Sequence, residues 1–243
     1  MAVAVAHGST DTDPLMRVVA EAETKHVRQQ RAGQGVEAGW PSGALLPPLP
    51  AGRVVQQGVR CDFVDLRRTF VSLGRDELTG YVRLVADGVR GAALLSAGGV
   101  VAAVHEQDGQ VIAGTEAFAR MRRTADSGLG VIEVVQLPEV VLGAVRQMLV
   151  GPAVYSGLSG KFLRGGEFVD FMSEQALTGA IRVRSEGRQG VVLLHDGVIG
   201  AYTGRAPRPG DTLDGVMEMF ADPACSVSMN GGQVGATLPL MIL

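Results

Sequence analysis

The feature that most constrains this chain is a pattern written twice. Residues 78–104 read LTGYVRLVADGVRGAALLSAGGVVAAV, and residues 177–202 read LTGAIRVRSEGRQGVVLLHDGVIGAY. At an offset of 99 positions, Leu78-Thr79-Gly80 falls on Leu177-Thr178-Gly179, Val82 on Ile181, Arg83 on Arg182 and Leu84 on Val183. Gly88, Gly91, Leu94, Leu95 and Gly98 fall on Gly187, Gly190, Leu193, Leu194 and Gly197. Turn glycines, apolar positions and an arginine keep one register, which marks an internal duplication. Whatever one copy folds into, the other must fold into as well.

The second copy is the easier to read. Apolar and polar residues alternate through Ala180-Ile181-Arg182-Val183-Arg184, the period of a half-buried strand. Gly187 and Gly190 bracket a turn, Val191 to Leu194 form an apolar strand, and His195-Asp196-Gly197 is a tight turn into a third strand ending at Tyr202. Asp-Gly between apolar runs is a strong hairpin signal, because both residues accept positive φ. Each copy is therefore expected to be a three-stranded antiparallel meander.

The flanks extend the repeat. Phe70-Val71-Ser72-Leu73 precedes the first copy and Phe168-Val169-Asp170-Phe171 the second. A short helix is expected after each meander, over 115–122 and 211–221, then a closing strand, over 130–135 and 225–229. In the later helix Leu213, Val216, Met217 and Phe220 make one apolar stripe, and Asp211 can cap its start. The fold class that follows is α+β: two tandem modules, each a small antiparallel sheet covered by helices on one face.

Along the chain, residues 1–55 are expected to be a flexible leader and linker, carrying the only tryptophan, Trp40, and the run Pro47-Pro48-Leu49-Pro50. The first module spans 56–137, and its opening helix over 56–76 places Phe63, Leu66, Phe70 and Leu73 on one face. The segment 105–108, HEQD, reads as a turn. Residues 138–164 are a connecting helix, 138–150, followed by a linker with little regular pattern. Pro138 suits the helix's first turn. This helix is apolar over much of its surface, so it is expected to pack between the modules or against another subunit. The second module spans 165–243 and ends in an apolar tail, LPLMIL, which docks on a sheet or marks an oligomer contact.

A net charge of −3 with 46% hydrophobic residues excludes a generic polyanion binder. No apolar stretch is long enough to span a bilayer, and the N-terminus lacks the basic region of a signal peptide. Cys61 and Cys225 are too far apart in sequence for a CxxC and read as spare thiols of a reducing cytoplasm.

Motifs that carry chemistry are scarce. The four histidines, His7, His26, His105 and His195, lack the i, i+4 spacing of a zinc site, and neither a phosphate-binding loop nor a nucleophile elbow occurs. His195-Asp196 is accounted for by turn chemistry. The stretch 210–215, GDTLDG, is too short an oxygen series for calcium and reads as a capped helix start. No catalytic residue, metal or cofactor is expected. Arg83, Arg182 and Arg184 are expected to line an exposed sheet face, with Arg205 and Arg208 in the loop after the last strand of the second meander. They are the candidate partner-binding residues, and the alternative is a plain solvated face. Aromatic interleaving of the RNA-stacking kind is missing, so no nucleic acid is expected.

The pattern L-T-G-x-[IV]-x-[VL], a glycine turn, an apolar strand and D-G-x-[IV]-x-A resembles the PATAN-like domain. The residues concerned are Leu177, Thr178, Gly179, Ile181, Val183, Gly190, Asp196, Gly197, Ile199 and Ala201. The resemblance covers 62–135 and 165–230, is degenerate in the first copy, where Ala97 replaces Asp, and departs from the family in its closing strand. It implies a non-catalytic adaptor in bacterial signalling, with a response regulator or kinase as partner. The rival expectations are a Roadblock-like regulator of a small GTPase and a small-ligand sensor using the groove between the modules.

Overall fold

The computed structural model describes residues 45–203 and 213–233, all within one unit that takes in 38–243. The readings of the leader through Trp40, of Asp211, of Arg205 and Arg208 and of the apolar C-terminal tail fall outside the described residues.

The first module runs β1 (Arg53–Arg60), a 3-10 turn (Cys61–Phe63), α1 (Leu66–Arg75), β2 (Gly80–Ala86), β3 (Val89–Ser96), β4 (Gly99–Gln107), β5 (Gln110–Ala113), α2 (Thr115–Asp126) and β6 (Val131–Gln136). The connecting helix is α3 (Glu139–Val150). The second module runs β7 (Ala153–Ser159), a 3-10 turn (Gly160–Phe162), α4 (Gly165–Glu174), β8 (Leu177–Ser185), β9 (Arg188–His195), β10 (Val198–Thr203), α5 (Leu213–Phe220) and β11 (Ser226–Gln233). The sheet orders are β1-β6-β2-β3-β4-β5 and β10-β9-β8-β11-β7. Apart from β5, the first module's order of elements repeats in the second, so the duplication holds at the level of topology.

Two elements differ from the sequence reading, and in the same way. The sequence reading has 53–60 close a leader and open a helix, and makes the stretch after the connecting helix, up to 164, a linker. Both stretches contain edge strands, β1 pairing with β6 and β7 with β11. Gly58 and Gly157 sit at φ 61° and 65° where each strand slips register, a bulge that breaks the period-two pattern. The HEQD segment is also not a turn: His105 and Glu106 are buried in β4, and the chain reverses at Asp108-Gly109 into β5.

The repeated Leu-Thr-Gly now has a reason. A Cβ on Gly80 would lie 2.0 Å from the Val135 carbonyl oxygen, and one on Gly179 would lie 2.2 Å from that of Asn230. Only glycine lets these strands start against their neighbours. The threonine ties each strand to the hairpin beyond it. Thr79 Oγ1 accepts from the Ala97 N–H at 3.0 Å, and Thr178 Oγ1 lies 2.9 Å from His195 Nδ1.

On the outer face of the first sheet Leu66, Leu73, Met121 and Ala125 close over Val82, Leu84, Leu95 and Ile132, and Phe70 meets Phe118 edge-on at 5.0 Å. Phe63, expected on that helical face, instead projects from the 3-10 turn. The outer face of the second sheet is closed by Val169, Met172, Val216, Met219 and Phe220. Thus each module's own helices cover one face of its sheet. The other two faces turn toward each other. Tyr81, Leu94, Val104 and Val135 of the first sheet share a core with Ala180, Val191, Leu193 and Tyr202 of the second, and Leu142, Ala144, Val145 and Met148 of α3 fill the space between them. The connecting helix is apolar over much of its surface because it buries Leu142, Ala144, Val145 and Met148 between the two sheets, while Val140 and Val150 at its ends stay exposed. No helix among the described residues is long and apolar enough to cross a membrane.

Candidate functional site

Of the arginines expected on an exposed face, Arg83 is buried and Arg182 half-buried on sheet faces turned inward, while Arg184 is exposed. Arg83 on β2 stands directly opposite Glu133 on β6, with Nη2 2.6 Å from Oε2 and both side chains buried. Its carboxylate partner is what lets a polar residue sit on a covered face, and alternation alone cannot separate that from a solvent face. The equivalent Arg182 stands opposite Ser228 and donates to Asn230 Oδ1 at 2.8 Å, while Asn230 Nδ2 donates to the Gly151 carbonyl at 2.9 Å. Burial, and the neighbouring charge of Arg184, lower the Arg182 pKa. Arg184 reaches solvent and donates through Nη2 to the Leu45 carbonyl at 2.6 Å. The structure thus brings Arg182 and Arg184 together, places Arg83 in a buried ion pair on the other sheet, and leaves Arg205 and Arg208 outside the described residues.

Leu45 is the end of a segment that sequence reasoning assigned to a flexible linker. Residues 46–50, Leu-Pro-Pro-Leu-Pro, are buried, with Leu46 at 3% and Leu49 at 4% exposure, in the core shared by the two sheets. The amides of Leu45 and Leu46 donate to the Glu106 carboxylate at 3.0–3.1 Å, and Arg90 Nη1 holds the same carboxylate at 2.8 Å. The Tyr202 hydroxyl donates to the Pro48 carbonyl and the Tyr81 hydroxyl to the Pro50 carbonyl, each at 3.0 Å. Burial raises the pKa of both tyrosines, so both remain donors at neutral pH. Proline brings no N–H into the core, so nothing is left unpaired by the three of them. Polar groups of both modules grip this one strap: Glu106 and Tyr81 from the first, Arg184 and Tyr202 from the second.

A second feature is repeated. Phe63 and Phe162, 99 positions apart at the ends of the two 3-10 turns, are 76% and 83% exposed. Arg60 stacks over the first ring, 5.5 Å from its centroid, and Lys161 over the second, at 5.8 Å. The signal for both was in the repeat: the same residue type at the same offset, in a stretch where most other positions differ.

The remaining polar groups make structure. Arg120 and Arg123, beside a shallow cleft with Gln107, Thr124 and Ser127, both bind Glu116, whose pKa falls through those hydrogen bonds. His105 is buried beneath α2, which lowers its pKa along with the nearby charges of Arg120 and Arg123. Among the described residues no three His, Cys, Asp or Glu side chains come together to hold a metal ion.

Residues 48–144 match the model of a family described as an uncharacterized protein conserved in archaea, DUF2226. The match covers less than half of the chain, so it is a similarity of that stretch: the end of the strap, the first module and half of α3. It overturns the PATAN-like resemblance and the bacterial setting that came with it. The residues that carried the resemblance are those that fix turns and strand starts, such as Gly179, Asp196 and Gly197, and unrelated meanders share such residues for the same steric reasons. No curated protein and no solved structure matches the chain.

Proposed function

We propose that this chain is a non-catalytic scaffold that associates with other proteins. The observation that carries the reading is the pair Phe63 and Phe162. A phenylalanine held in water gains little for the fold, and here it is held there twice, at the end of a 3-10 turn, beneath a cation. Aromatic side chains, phenylalanine among them, and arginine are enriched where proteins bind one another. The reading places the protein in the cytoplasm, where Cys61 and Cys225, both buried and free, stay reduced.

The test is to purify the native chain, Phe63→Ser, Phe162→Ser and the double variant from the source cell after mild crosslinking. The expected result is a stoichiometric protein partner retained by the native chain and lost stepwise in the variants. Partners unchanged by the double variant, or turnover of a substrate by purified protein, would overturn the reading. If the partner is a GTPase, dependence on bound nucleotide assigns the chain to its regulation, and indifference removes that class. A small-ligand site between the modules is disfavoured, because Leu46, Leu49, Leu142, Val145 and Met148 occupy that space.

A further inference from the structure

The strap at 45–50 is held as a bound peptide is held. Every polar contact described above uses its main chain: two N–H groups at one end, then the carbonyls of Leu45, Pro48 and Pro50. Such contacts are open to any chain of the same extended shape. Selectivity comes from two buried leucine sockets and from the prolines, which fix an extended backbone with few donors. Glu106, 3% exposed, aims a buried carboxylate at the strap's first amides. The groove is shared by both sheets, so a single module could not form it.

The two flanks of the strap are held by different contacts. Beyond Pro50 the chain enters β1 through Gly52, where a Cβ would lie 2.4 Å from the Gln136 carbonyl oxygen. At the other flank Leu45 is 40% exposed and is clasped by Glu106 and Arg184. An exchanging segment has to break the Glu106 and Arg184 contacts at Leu45, while the strap's C-terminal end continues into β1.

We propose that the junction between the modules is a peptide-binding groove for a leucine-rich, proline-interrupted extended segment, that residues 45–50 occupy it in cis, and that a protein partner presenting a Leu-Pro-Pro-Leu-Pro-like segment exchanges with them. This rests on the scaffold reading and adds to it the site and the partner's chemistry. The tethered strap competes at an effective concentration on the order of millimolar, which keeps the groove closed to weak ligands.

The test uses the full chain and a fluorescent synthetic peptide with the sequence of residues 43–52, followed by anisotropy. The native chain is expected to bind it weakly, and a Leu46→Ser/Leu49→Ser chain to bind one equivalent at least roughly tenfold more tightly. Adding Tyr81→Phe should weaken that binding roughly three- to tenfold, the effect of one hydrogen bond. A scrambled peptide should not bind. A folded variant that ignores the peptide overturns the proposal. If the variant loses its fold, the peptide must restore it, and failure to do so marks the strap as ordinary core and equally overturns the proposal. A native dimer that the leucine substitutions dissociate would assign the groove to a second copy instead of a partner. Failure here with the Phe63- and Phe162-dependent association intact leaves the scaffold reading standing; loss of that association with peptide binding intact has the opposite meaning.

Discussion

Arg83 Nη2 lies 2.6 Å from Glu133 Oε2 on the covered face of the first sheet, and 99 positions later the same arginine faces a serine. The first copy keeps a buried ion pair where the second relies on the Asn230 amide. Removing one member of a buried pair strands the other charge without water. Glu133→Gln is therefore expected to destabilise the protein by about 3–5 kcal/mol, and Arg83→Met/Glu133→Leu to lie within about 1 kcal/mol of native, measured by urea unfolding. Equal losses in the two variants would show that the pair is not the source of the effect.

The tight turn between β3 and β4 puts Ala97 at φ 44°, where its counterpart Asp196 sits at φ 51°. Left-handed backbone is unfavourable for alanine and tolerated by asparagine and aspartate, whose short polar side chains bond locally. Ala97 is exposed, so a longer side chain meets water. Ala97→Asn is expected to stabilise by about 0.5–1 kcal/mol, read as a rise in the urea midpoint with an unchanged slope.

Cys61 is buried beneath the first sheet's helices, and burial, with Asp62 beside it, pushes its thiol up to about 11 from an ordinary 9.0. The sign follows from proton counting. Below pH 9 the thiol is protonated in both states and contributes no slope. Between pH 9 and about 11 the unfolded chain has released its proton and the folded chain has not, so stability falls as pH rises. Native protein is expected to lose on the order of 2 kcal/mol more than Cys61→Ala across that window. Parallel pH profiles for the two proteins would remove the thiol as the cause.

Local pattern carried much of this architecture. The duplication, the hairpins at Asp196-Gly197 and Gly88, the helices over the outer faces and α3 between the modules all follow from residues near one another in sequence, or from a largely apolar helix surface. What escaped depends on distant partners. The strands β1 and β7 are exposed and bulged at Gly58 and Gly157, so burial imposes no alternation on them, and each exists through pairing with residues 67 or more positions away. Arg83 passes for a surface residue until Glu133 is placed opposite. The strap reads as linker because prolines forbid regular structure; that they do not forbid burial appears only when Tyr81, Tyr202 and Glu106 are seen to satisfy its main chain. The candidate site was the less legible part, since it forms where two modules meet and neither copy encodes it alone.

Tyr202 and Leu49 should be energetically coupled through the strap although they act by different forces. Tyr202 contributes its hydrogen bond to the Pro48 carbonyl, and Leu49 contributes buried surface one residue further on. Tyr202→Phe keeps the ring in the core and leaves the carbonyl buried without its donor, a loss of about 1–2 kcal/mol. Leu49→Ala removes a buried side chain and should cost about 2–4 kcal/mol if the strap stays seated. A strap that lifts instead exposes the carbonyl to water, and the tyrosine then has nothing left to lose. In a double-mutant cycle the combined cost is therefore expected to fall short of the sum by about 1 kcal/mol, with the tyrosine substitution nearly silent in the Leu49→Ala background. Strict additivity would mean that the strap stays in place when its leucine is truncated, and that its exchange requires more than the loss of one apolar anchor.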